Sequence, residues 1–119
     1  MDERIEKYLF DIKIAIDEIE LFIKELSLMN FIEYKQNLLL KRAIERELEI
    51  IGEAMNRIIK RDENFILQIE EAKSIISLRN YIIHSYDSVS DENIWAIIQN
   101  HLPKLKTQVE ILLNHNKTK

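Results

Sequence analysis

The sequence predicts an all-α protein, an up-and-down bundle of four main helices with the fourth kinked or broken near Pro103. Apolar residues recur every three or four positions along four successive stretches, which puts them on one face of a helix in each. The 119 residues include one glycine and one proline, too few for the tight turns of hairpins or sandwiches. Short polar breaks separate the stretches, and no repeat or low-complexity segment intervenes. Residues 1–119 are therefore read as one domain around one core.

The first stretch carries Ile5, Leu9, Ile12, Ile16, Ile19, Ile23 and Leu26 at alternating steps of four and three. That spacing suits nearly antiparallel packing in a left-handed bundle. Leu28-Met29-Asn30 reads as a turn, with asparagine tolerating a left-handed helix end. A second helix is expected from Phe31 or Tyr34 to Arg61. Leu40, Ile44, Leu48, Ile51, Met55 and Ile58 form its stripe, widened by Leu39, Ala43 and Ile59. Gly52 falls inside it, at a cost of about 1 kcal/mol relative to alanine. Close approach of a neighbouring backbone or ring would offset that cost. Arg57, Lys60 and Arg61 share one face near its end. They read either as a solvated helix terminus that complements the dipole or as a phosphate-contacting patch.

Asp62-Glu63-Asn64 breaks the pattern, and a third helix is expected from Phe65 to Ser85. Ile75, Ile76, Leu78, Ile82 and Ile83 cover a wide arc, which predicts a central position. Ser88 or Ser90 can cap the fourth helix, with Asp91 and Glu92 favouring the positive end of its dipole. Its stripe is Ile94, Ile98, Leu102, Leu105, Val109 and Leu112. Pro103 removes one backbone donor within it.

Bulk properties narrow the function classes. The absence of cysteine excludes disulfides and thiolate metal sites and fits a reducing compartment. No apolar run approaches the ~20 residues of a membrane span, and no signal peptide is visible, so a cytoplasmic protein without membrane contact is expected. A formal charge of −4 argues against broad non-specific nucleic-acid binding while permitting a local basic patch. His84, His101 and His115 lack ligand-pair spacing, so neither metal nor cofactor is expected.

The chemistry concentrates in Ser77-Leu78-Arg79-Asn80-Tyr81-Ile82-Ile83-His84-Ser85-Tyr86. On an ideal helix Ser77, Asn80 and His84 share a stripe with Tyr81 at its edge. Arg79 lies roughly 140° from His84, so a working pair needs a loosened helix end, a second subunit, or both. Histidine can move protons near neutrality, arginine presents a planar donor fork to phosphate oxygens, and Asn80 can orient either. Together they meet the needs of RNA phosphodiester cleavage. The 2′-hydroxyl must lose a proton, the leaving 5′-oxygen must gain one, and the phosphorane carries added negative charge. A plainer account is that His84 and Arg79 complement the helix C-terminus.

Arg79-Asn80-Tyr81-Ile82-Ile83-His84 resembles the R-x-x-x-x-H signature of HEPN domains, and His84-Ser85-Tyr86 resembles the H-x-Y of their HepT-like branch. Glu47-Leu48-Glu49-Ile50-Ile51-Gly52-Glu53-Ala54 is similar to that branch's second helix, and Val89 through Pro103 to its closing helix. The resemblance implies a HEPN-like bundle and a metal-independent endoribonuclease toxin of a type VII toxin–antitoxin pair, acting as a homodimer. It makes Arg79 and His84 catalytic and Asn80 supporting. It makes Tyr86 the residue to which an MntA-like nucleotidyltransferase antitoxin adds AMP. It leaves Arg57, Lys60 and Arg61 as candidates for the RNA path. The alternative is a non-catalytic HEPN subunit that docks the nucleotidyltransferase.

Overall fold

Helix α1 (Glu3–Glu25) forms where the four-and-three spacing begins, with Asp2 Oδ1 accepting from the backbone N–H of Arg4 and Ile5. The computed structural model describes residues 1–25, 30–84 and 90–117, and follows α1 with α2 (Phe31–Gln36) and α3 (Leu38–Arg61). A 3₁₀ turn (Glu63–Gln68), α4 (Ala72–His84), α5 (Asp91–Asn100) and α6 (Leu102–Lys117) complete the order. Among the described residues there is no strand, so the all-α bundle stands.

The stripes predicted for α1 and α3 are the core. Leu9, Ile12, Ile16, Ile19, Ile44, Ile51, Met55 and Ile58 are fully enclosed, each worth about 1.5–3 kcal/mol of burial. Two ion pairs fix the directions of the helices. Arg61, closing α3, bonds Asp2 before α1 at 2.8 Å, and Lys106 near the start of α6 bonds Glu20 late in α1 at 2.9 Å. Both neighbours of α1 therefore run antiparallel to it. Its seam with α3 also encloses Glu47, a carboxyl at 7% exposure.

Four expectations are corrected. The second helix is split: Asn37 ends α2 with its N–H on the Tyr34 carbonyl, while its side chain accepts from Leu40 N–H at 3.0 Å to start α3. Asn30 is extended, at φ −116°, and caps α2 by accepting from Glu33 N–H, in place of a left-handed turn. The third helix starts later than predicted, since residues from Glu63 to Gln68 form the 3₁₀ turn, capped by Asp62. The central element is α3, which packs against α1, α2, α4 and the 3₁₀ turn.

The widened stripes also contract. Leu39 is 83% exposed, and Ile83 lies at the surface while Ile75, Leu78 and Ile82 are buried. On α6, Leu113 is buried and Leu112 only partly so. The break at Pro103 is present. Helix α5 ends with His101 N–H on the Ile97 carbonyl, and Pro103 is the second residue of α6, where no helical acceptor awaits its missing N–H. Ser90 Oγ caps α5 by accepting from Asn93 N–H; Leu26, Leu28, Met29 and Ser88 lie outside the described residues.

Candidate active site

Helix α4 buries Ile75, Leu78 and Ile82 and leaves Lys73, Ser77, Asn80, Tyr81 and His84 at the surface. Arg79 sits at the seam between the two faces, where α4 crosses α3 at Gly52. A Cβ at Gly52 would lie 2.2 Å from Arg79 Cβ, 2.7 Å from Arg79 Cγ and 3.2 Å from the Ile75 carbonyl oxygen. The expected close approach is therefore real, and what approaches is the stem of Arg79 together with backbone of α4.

Beyond that notch the guanidinium is held from two sides. Arg79 Nη2 donates to Glu53 Oε2 at 2.5 Å, and Nη1 donates to Asn80 Oδ1 at 2.9 Å. Among the described residues, Arg79 Nε is buried without a hydrogen-bond partner. Glu53 also accepts from Arg57 Nε at 3.1 Å, so one carboxylate is shared by two guanidinium groups. Asn80 belongs to the same exposed stripe as His84, and its bond to Arg79 draws the guanidinium to that stripe. His84 ends α4 at the surface, and among the described residues its ring makes no hydrogen bond. The structure thus brings Arg79 and Asn80 together and leaves His84 one turn away. Tyr86 lies outside the described residues.

The three basic residues at the end of α3 have different surroundings. Arg57 is committed to Glu53, and Arg61 to Asp2, whose carboxyl it holds below the usual range. Lys60 is exposed.

Sequence reasoning missed two features here. Glu53 is the partner of Arg79 across 26 positions; the sequence shows it only within the segment similar to the HepT-like second helix, beside the one glycine of the chain, with no role attached. The second is a pair, Glu71 and His101, with Nδ1 and Oε2 2.7 Å apart and the carboxyl 5% exposed. It pins the start of α4 to the α5–α6 joint and borders an open groove of about 440 Å³ lined by Ser77, Tyr81 and Asn93. Among the described residues no group of three or more His, Cys, Asp or Glu could hold a metal ion. Among the described residues, no helix is long and apolar enough to cross a membrane.

Helix α4 thus carries a held guanidinium at its seam with α3 and a surface imidazole at its end, groups suited to an anionic substrate that exchanges protons. Comparison with known proteins gives a family for the chain. The family profile described as ribonuclease HepT-like matches residues 12–112. A Methanocaldococcus jannaschii protein named "Putative RNase MJ1380" is 32% identical over 108 residues, covering 91% of this chain and 95% of its own. A Thermococcus cleftensis protein named "Probable ribonuclease HepT" is 32% identical over 105 residues, covering 88% of this chain and 92% of its own. No solved structure matches.

Proposed function

This chain belongs to the HepT-like ribonuclease family, and on that premise we propose that it is a metal-independent endoribonuclease toxin of a type VII toxin–antitoxin pair. Arg79 stabilises the phosphorane, His84 moves the protons, and Asn80 holds Arg79 in place. The observation that carries this reading is the Asn80–Arg79 bond, which sets a guanidinium on the surface stripe that also bears His84. Deprotonation of the 2′-hydroxyl and protonation of the 5′-oxygen need an imidazole in each of its two states. The charge on the phosphorane needs a donor fork already in position. No step requires a metal. A homodimer brings two such faces together, and an MntA-like nucleotidyltransferase adds AMP to Tyr86. The adenylate adds negative charge and bulk beside the cleft and repels RNA.

Purified protein should cut labelled single-stranded RNA in the presence of chelator, leaving 2′,3′-cyclic phosphate ends. His84→Ala and Arg79→Ala should each lose about 100-fold or more. Ends bearing a 3′-hydroxyl contradict the route through the 2′-oxygen. Intact mass after incubation with the partner and ATP should rise by adenylate increments that Tyr86→Phe abolishes.

The second reading is a non-catalytic HEPN subunit that docks the nucleotidyltransferase. It is favoured by the Glu53 carboxylate, which already meets the charge of Arg79. Wild-type protein that leaves every RNA intact while binding the partner tightly would establish it over the first.

A further inference from the structure

We propose that Glu53 is a positioning residue for Arg79, and that Gly52 and Glu53 of α3 form the fixed half of the active site. The inference deepens the ribonuclease reading and rests on Arg79 being its charge-stabilising group.

Three features of the α3–α4 crossing carry it. The first is the notch. The Arg79 stem fills the space where any other residue at position 52 would place its Cβ, with Arg79 Cβ 2.2 Å from that point. A stem so enclosed has few rotamers left, so only the guanidinium remains to be aimed. The second is the pair of opposed bonds. Glu53 on α3 takes Nη2 at 2.5 Å and Asn80 on α4 takes Nη1 at 2.9 Å. Two acceptors on different nitrogens fix the plane of a guanidinium as well as its position. Asn80 alone would leave the group free to rotate about that single bond.

The third feature is charge. Glu53 lies between Arg57 and Arg79, so two cations share one carboxylate and the cluster keeps a net positive charge. Glu53 therefore does not cancel the charge of Arg79 outright. Glu53 is itself steadied by Arg57 at 3.1 Å, so the aim of Arg79 is set by a chain of contacts running back along α3. The buried Nε–H of Arg79 is left without a partner, which is tolerated where the other contacts over-determine the orientation.

A carboxylate that only stabilised the fold would leave turnover alone once the protein had folded. A positioning residue acts on kcat, because misplacing a charge-stabilising group by about 1 Å costs on the order of 100-fold. In folded protein, Glu53→Ala should lower kcat on single-stranded RNA by roughly tenfold to 100-fold with KM little changed. Glu53→Gln keeps an acceptor oxygen at the same place and should fall between wild type and alanine. The structural readout is ¹⁵N NMR of the Arg79 Nε–H, assigned by its loss in Arg79→Lys. It should exchange slowly with solvent in wild type and at least tenfold faster in Glu53→Ala.

Wild-type kcat in Glu53→Ala overturns the proposal, and so does a rise in KM with kcat unchanged. If wild-type protein cuts no RNA, the ribonuclease reading fails and the exchange rate alone decides. Faster exchange in Glu53→Ala then supports the hold on Arg79, and an unchanged rate refutes it. Should Glu53→Ala not fold, Glu53→Gln carries both measurements with the same signs.

Discussion

Glu47 shows how one side chain can couple this fold to pH. Its carboxyl lies in the α1–α3 seam with Oε2 lacking a partner. Burial first, and the neighbouring Glu18 carboxyl second, push it up from 4.5 to about 7. A carboxyl whose folded value exceeds its unfolded one favours folding while protonated. Its contribution is therefore complete below about 4.5 and is lost as pH rises through about 7. Glu47→Gln keeps the shape and removes the titration. Its unfolding free energy, from denaturant titration, should vary less than that of wild type between about pH 5 and pH 8, and should exceed wild type at the upper end by on the order of 1–2 kcal/mol. Parallel pH profiles for the two proteins would show that Glu47 does not titrate in this range. Nothing in the local pattern marks this burial: position 47 sits beside the stripe of α3, and only the packing of α1 against α3 encloses it.

At the scale of elements, α2 is the least expected part of the fold, and Tyr34 explains why it exists. The ring is fully buried, 5.4 Å from Trp95 of α5, and Phe31 flanks the same indole at 6.3 Å. Breaking the helix at Asn37 lets this short piece turn toward α5 while α3 keeps its own direction. Lys41 and Asp91 join α3 to α5 nearby at 3.1 Å. The Tyr34 hydroxyl is buried without a partner, and burial raises its pKa, so the oxygen costs stability that the ring supplies. Tyr34→Phe should therefore be neutral or stabilising, by up to about 1 kcal/mol, and Tyr34→Ala destabilising by about 3–5 kcal/mol, in thermal or denaturant unfolding. A destabilised Tyr34→Phe would mean that the hydroxyl has found a bond.

The same element marks the boundary of what periodicity can tell. The stripes of α1, α3 and α5–α6 were legible because burial imposes the 3.6-residue repeat on any packed helix. Asn37 was not, since an asparagine caps a helix only where the chain direction changes, and that depends on Trp95, distant in sequence. The site divides likewise. Arg79, Asn80 and His84 lie within six residues of one helix, so local pattern displays them. Glu53 joins them only through the register of α3 on α4, which Gly52 sets.

For the whole molecule, the proposed chemistry asks an arginine and a histidine roughly 140° apart on one helix to act on one phosphate. Within the subunit, Asn80 ties the guanidinium to a residue of the exposed stripe of α4, and His84 stands a turn further along. That stripe leaves Lys73, Ser77, Asn80 and His84 exposed. A second copy docked on it about a two-fold axis would close the remaining gap by setting Arg79 of one subunit against His84 of the other. Separately purified Arg79→Ala and His84→Ala proteins, each inactive, test this directly. Mixed under exchange, half the dimers would be hybrids, and each hybrid would hold one intact site of two. Activity should return to roughly a quarter of wild type. The control is a mixture carrying both substitutions in every chain, which should stay inactive. No recovery in a mixture shown by native mass spectrometry to contain hybrids would place Arg79 and His84 of each site in the same subunit. A rearrangement within one subunit would then have to bring them together.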